Sequence, residues 1–178
     1  NFCRLDIKSN FFIYFIVLHE IGHLNQREGL LFEFNDSNGT SSDNLEKQIL
    51  EMDSDKYAVN ELAKHLMSSY DNISQLESKN LFFFETKKGM VRYIIFMLFS
   101  MFYIFSSNNR FEKYILDFPH PHPVLRVNYS IILLLDIFMN NSFLTFSERE
   151  ELGRQSIADF EIVFKKILGS IIIIVANI

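Results

Sequence analysis

His19-Glu20-Ile21-Gly22-His23 puts two imidazoles and a carboxylate within five residues. On a helix, His19 and His23 at i and i+4 project from one face, a single turn apart. From there both can bind one zinc ion through bonds of ~2.0–2.1 Å. Glu20 lies between them, near the open coordination position, where a carboxylate can take a proton from bound water. Two imidazoles make an incomplete site, so a third acidic or imidazole ligand must come from another element.

The strongest third ligand is Glu51, in Leu50-Glu51-Met52-Asp53-Ser54-Asp55. Glu51 and Asp55 are again i and i+4, so on a helix their carboxylates share a face. Glu51 can then reach the metal while Asp55 accepts a hydrogen bond from the far nitrogen of a ligating imidazole, fixing its tautomer. Asp53 points elsewhere, towards solvent. As a solvated charged face, the same segment would pair Glu51 and Asp55 with Lys47 or Lys56, and only the upstream histidines favour ligation over that.

Further on, Phe118-Pro119-His120-Pro121-His122-Pro123 offers two more imidazoles. His120 is the catalytic candidate, placed to stabilise the oxyanion that forms when water attacks a peptide carbonyl. His122 has the weaker claim, and a rigid connector with exposed histidines is the alternative for both. Arg126 can pair with a carboxylate such as Asp55, or hold the loop in place. His65 lies ten residues beyond Asp55, ~15 Å along a helix axis, too far to join the same site. Tyr57 and Tyr129 suit a core or rim better than catalysis.

The elements that must position these groups are helical by their patterning. Ser9–Glu28 is a helix with Ser9 or Asn10 as cap and Gly29 beyond its end. Phe11 to Leu18 is apolar on every side, which predicts a helix in the middle of a core. Leu30–Phe34 suits a short strand or edge, and Asn35–Asn44 a polar loop. A second helix runs from about Asn44 to Tyr70, ended by Asp71-Asn72, with Leu45, Ile49, Met52, Leu62 and Leu66 as its apolar stripe. Leu81–Phe84 is a short apolar element of open type. Met90–Phe105 is a third helix, and Val124–Met139 a fourth with Pro123 near its N1 position. Ser147–Leu168 is a fifth, where Ser147 and Glu150 form a capping box.

Composition sets the outer bounds. Hydrophobic residues make up 48% and charged residues 22% of 178, enough to bury one domain's core and to exclude general disorder. A net charge of -5 without a basic face argues against nucleic-acid binding. The 20 Phe and absence of Trp fit the codon bias of an AT-rich genome. One cysteine, Cys3, rules out an intramolecular disulfide, so any zinc chemistry rests on His and carboxylate. The apolar run Tyr93 to Phe105 falls short of the ~20 residues that span a bilayer, and the other apolar runs are shorter still. Core helices are therefore expected, with peripheral membrane insertion as the alternative. No signal peptide is visible, and a beginning at Asn1 leaves room for upstream elements.

Together these segments resemble the gluzincin metallopeptidases. His-Glu-x-x-His comes first, then a helix bearing Glu51-x-x-x-Asp55, then His-Pro pairs with Arg126 downstream. The order is similar to that of HtpX-like and CAAX-prenyl-protease-like peptidases, and closer to that of Lit-type phage-exclusion peptidases. The likeness spans roughly Phe11 to Tyr129. It lacks the long hydrophobic spans of the integral-membrane members and any evident substrate-recognition domain. The resemblance implies zinc ligands His19, His23 and Glu51, catalytic base Glu20, and Asp55 as support to the ligands. It also implies a host-defence role.

The expectation is a mainly α protein: residues 1–178 as one zincin-like metallopeptidase domain, its His-Glu-x-x-His helix buried at the centre, with at most a small β element. The expected activity is zinc-dependent (Zn²⁺) endopeptidase hydrolysis of a protein or peptide substrate, in the cytoplasm or at a membrane. A non-catalytic zinc-binding regulatory or immunity module and a small membrane-associated helical protein are the alternatives.

Overall fold

The computed structural model describes residues 7–29, 41–74, 84–106, 120–156 and 158–159. Its regular elements are α1 (Ile7–Gly29), α2 (Ser41–Ser74), α3 (Lys87–Ser106), α4 (Pro123–Asn140) and a fifth helix, α5, over residues 146–156. The chain is mainly helical, and the described residues contain no strand. The segment Leu30–Phe34, most of the polar loop after it, Leu81 to Phe83, Phe118 and Pro119 lie outside the described residues, as do Cys3 and the far end of the fifth predicted helix.

Helix ends follow capping chemistry more than the predicted boundaries. Ser9 and Asn10, expected as caps, are inside α1, and Asp71 and Asn72, expected as terminators, are inside α2. Propensity differences of under ~1 kcal/mol per residue yield to packing at such positions. Thr86 caps α3, its Oγ1 accepting from the Gly89 amide at 2.9 Å. The expected capping box of α5 is displaced by two residues. Thr145 Oγ1 accepts from the Glu148 amide at 3.3 Å, and Glu148 Oε2 accepts from the Thr145 amide at 2.8 Å. Thr145-x-x-Glu148 and Ser147-x-x-Glu150 both satisfy the pattern. Arg149 and Glu150 are instead spent on ion pairs, with Arg149 reaching Asp136 of α4 at 2.8 Å.

α1 and α2 run antiparallel: Gln26 meets Leu50 at one end, and the Tyr14 and His65 rings lie 5.3 Å apart at the other. α2 packs on both α1 and α4, and α3 packs on α4. Buried residues of all five helices form one hydrophobic cluster, including Phe15, Leu62, Leu98, Leu134, Phe138 and Leu152. Phe15 of α1 reaches Phe102 of α3 edge-on, 5.9 Å between centroids.

The expectation that α1 is buried at the centre does not hold. Phe11, Phe15, Leu18 and Gly22 form its buried stripe, whereas Ile13 is 60% and Leu24 58% exposed, with Ile16 and Val17 also exposed. Central position belongs to α2, whose Ser54, Asp55, Ala58, Val59 and Ala63 are buried completely. Small residues there allow helices to approach from two sides. An all-round apolar sequence therefore does not imply all-round burial, since exposed apolar residues are common on folded proteins.

The reading of apolar runs as too short for a membrane span also changes. At 18 residues, α4 is long and apolar enough to cross one by length and composition. A core helix passes the same test, and α4 buries Val127, Ser130, Ile131, Leu134, Leu135 and Phe138 inside the fold.

Candidate metal centre

The antiparallel pairing of α1 and α2 brings His19, His23 and Glu51 together. His19 Nε2 and His23 Nε2 are 3.1 Å apart, Glu51 Oε1 lies 3.2 Å from His23 Nε2, and Glu51 Oε2 lies 3.5 Å from His19 Nε2. Two donors on one tetrahedral ion with ~2.0–2.1 Å bonds are ~3.3–3.4 Å apart. The three separations bracket that value, with each carboxylate oxygen of Glu51 facing a different imidazole, and two imidazoles with a carboxylate are a donor set suited to a divalent metal. The group can hold a metal ion.

A close helix contact permits this. A Cβ on Gly22 would stand 2.9 Å from Ser54 Cα, inside van der Waals contact with the backbone of α2. Glycine at position 22 therefore lets α1 lie against α2 one residue before His23. Ser54 itself is fully buried and its Oγ sits 3.0 Å from His23 Nδ1.

Behind these three side chains stands a charged layer. Asp55, completely buried, places Oδ1 3.0 Å from His19 Nδ1, though off the line of the N–H. Arg126 enters from the first turn of α4 and grips Asp55 with two hydrogen bonds, Nε to Oδ2 at 2.7 Å and Nη2 to Oδ1 at 2.8 Å. Its Nη1 also reaches Glu51 Oε2 at 3.3 Å, and its guanidinium lies over the Phe102 ring at 5.1 Å. Pairing with Asp55 is one of the options the sequence left open for Arg126.

These neighbours set the protonation of the site. Burial draws the His19 imidazole down, but the Asp55 and Glu51 carboxylates prevail and push its pKa up to about 9. Burial pushes the Glu51 carboxyl up, while the His120 and His19 imidazoles, each 3.5 Å away, and the Arg126 charge hold it well below the usual carboxylate range. Burial also works against the Arg126 charge, which Asp55 and Glu51 more than restore, so its pKa is raised.

Glu20 follows His19 on α1 and is exposed, with no hydrogen bond or ion pair among the described residues. His120 lies at the rim, 66% exposed, its Nδ1 3.5 Å from Glu51 Oε1. His122 serves the fold instead. As N-cap of α4, with φ -57° and ψ 133°, it accepts from the Val124 amide through Nδ1 at 3.2 Å. His65 stays far from the cluster, against Tyr14.

Gly22, Ser54 and Gln26 join the site without having been picked out from the sequence. Only Gly22 carried a signal, because glycine inside a helix costs ~1 kcal/mol against alanine and so calls for a packing reason. The chain matches no protein-family model, no curated protein and no solved structure.

Proposed function

We propose that the protein is a zinc-dependent endopeptidase of gluzincin type, with His19, His23 and Glu51 as metal ligands. One observation supports it above the rest: the His-Glu-x-x-His pair and Glu51, 28 residues apart between His23 and Glu51, converge into a donor triangle backed by the buried Asp55 and Arg126. Zinc held there supplies Lewis acidity, lowering the pKa of bound water towards ~7 and polarising the scissile carbonyl. Glu20, exposed beside the ligands, accepts the water proton and passes it to the leaving amine. Asp55 holds His19 in place through its Nδ1 side, and Arg126 balances the charge of Asp55 and Glu51. His120 at the rim donates to the developing oxyanion.

The substrate class is a protein or peptide, met in the cytoplasm. Membrane contact is compatible with the apolar α4 but not required, because Arg126 on that helix is committed to Asp55 and Glu51.

Metal content and cleavage together test the proposal. Elemental analysis of the purified protein should give about one zinc per chain. Glu20→Gln should keep that zinc and lose hydrolysis of a protein panel, and His23→Ala should lose both. Cleavage by Glu20→Gln at the parent rate would sink the mechanism. A parent that binds zinc and cleaves nothing would point to a non-catalytic zinc-binding module.

A further inference from the structure

Gln26 stands three residues beyond His23 on α1 and touches both ligand-bearing helices. Its amide Nε2 donates to the backbone carbonyl of Leu50, the residue before Glu51, at 2.8 Å. That bond decides which way the amide faces, because the opposite orientation would set acceptor against acceptor. Oε1 therefore faces the other way, 3.2 Å from Nδ1 of His23. An acceptor held there favours the proton on Nδ1, so that Nε2 accepts from His19 Nε2 at 3.1 Å, against the competing pull of Glu51 Oε1 at 3.2 Å for a proton on Nε2. Ser54 Oγ is also near Nδ1, at 3.0 Å, but a hydroxyl accepts or donates and follows whichever tautomer is set.

We propose that Gln26 is a positioning residue of the metal centre. One neutral amide fixes His23 as the Nδ1-protonated tautomer and ties α2 to α1 beside Glu51. It works through His23 and Leu50 and touches neither substrate nor ion. His19 is supported by the charge of Asp55, so the two ligand imidazoles are oriented by different means. The purpose of this device rests on the metal-binding proposal, whereas the tautomer is a property of the metal-free chain.

Two variants separate the two ends of the amide. Gln26→Leu removes both, and Gln26→Glu keeps an acceptor for Nδ1–H while losing the donor to Leu50. Long-range ¹H–¹⁵N NMR of the metal-free protein, recorded under mildly alkaline conditions, reads the tautomer of His23. Competition with a chromogenic chelator reads zinc affinity. The parent and Gln26→Glu should show the proton on Nδ1. Gln26→Leu should show mixed tautomers and a zinc affinity ~10–100-fold lower, the usual effect of losing such a partner. An unchanged tautomer and affinity in Gln26→Leu overturns the proposal. If that variant does not fold, the parent spectrum decides, and a proton on Nε2 of His23 overturns it. A parent with the expected tautomer, lost in Gln26→Leu, but with no zinc uptake upholds the positioning role and overturns the metal-binding proposal alone.

Discussion

Arg126 and Asp55, 71 residues apart in sequence, form a bidentate pair whose carboxylate is wholly buried. The pair joins α4 to the helix that bears Glu51. The same two hydrogen bonds thus link a helix contact of the fold to the candidate site.

Removing the arginine should be costly. Arg126→Leu leaves a buried carboxylate without its partner, an effect of about 3–5 kcal/mol. For a chain of this size that lowers the melting temperature by on the order of 10 °C. Arg126→Lys keeps the charge and loses the fork, so it should recover only part of the loss. A thermal melt of the two variants checks the order, and equal stability in Arg126→Leu and the parent would show that the pair is dispensable.

The metal-free protein should have a pH window set by two groups. His19, raised from 6.5 to about 9, contributes stability that is complete below 6.5 and is lost as pH rises through about 9. Glu51, lowered from 4.5, contributes stability present above 4.5 and lost as pH falls below it. The urea midpoint should therefore be highest between pH 4.5 and 6.5 and decline on either side. Zinc must displace the proton from His19, so uptake at neutral pH should release about one proton, and the alkaline decline should vanish in the loaded protein. Calorimetry in buffers of different ionisation enthalpy measures that proton; none released would contradict the raised pKa.

Two glycines give opposite expectations. Gly22→Ala drives a methyl group into the Ser54 backbone at 2.9 Å, at a cost of about 1–3 kcal/mol, and it should weaken zinc binding by moving α2. Gly153→Ala meets Leu135 Cδ1 at an ordinary 3.9 Å and should gain about 0.5–1 kcal/mol from helix propensity. Denaturant melts of both, with zinc titration of the first, would reveal any failure of this contrast.

The candidate ligand cluster was legible in the sequence because helical arithmetic is local. His19 with His23 and Glu51 with Asp55 each need only a four-residue repeat. Arg126 was legible as a cation that could serve a carboxylate, since a buried carboxylate needs one. The register of α1 against α2 was not legible, and with it went Ser54 and Gln26, whose roles exist only once two helices are aligned. The exposure of Ile13 and Leu24 was hidden for a related reason: composition tells how apolar a helix is, and not how many neighbours it has. At α5, Thr145 and Ser147 both begin a capping box, so the pattern alone could not choose between them.

The linear order of the site also has a consequence for biosynthesis. All three candidate ligands lie on two consecutive helices, while the arginine that pairs with Asp55 follows it by 71 residues. At ~5–20 residues per second, that interval is roughly 4–14 seconds of translation. The α1–α2 hairpin thus leaves the ribosome with its donor atoms complete and its back wall still missing. Under the proposed metal-binding role, ion capture would precede sealing, and the metal supply met by the nascent chain would bear on which ion the site takes.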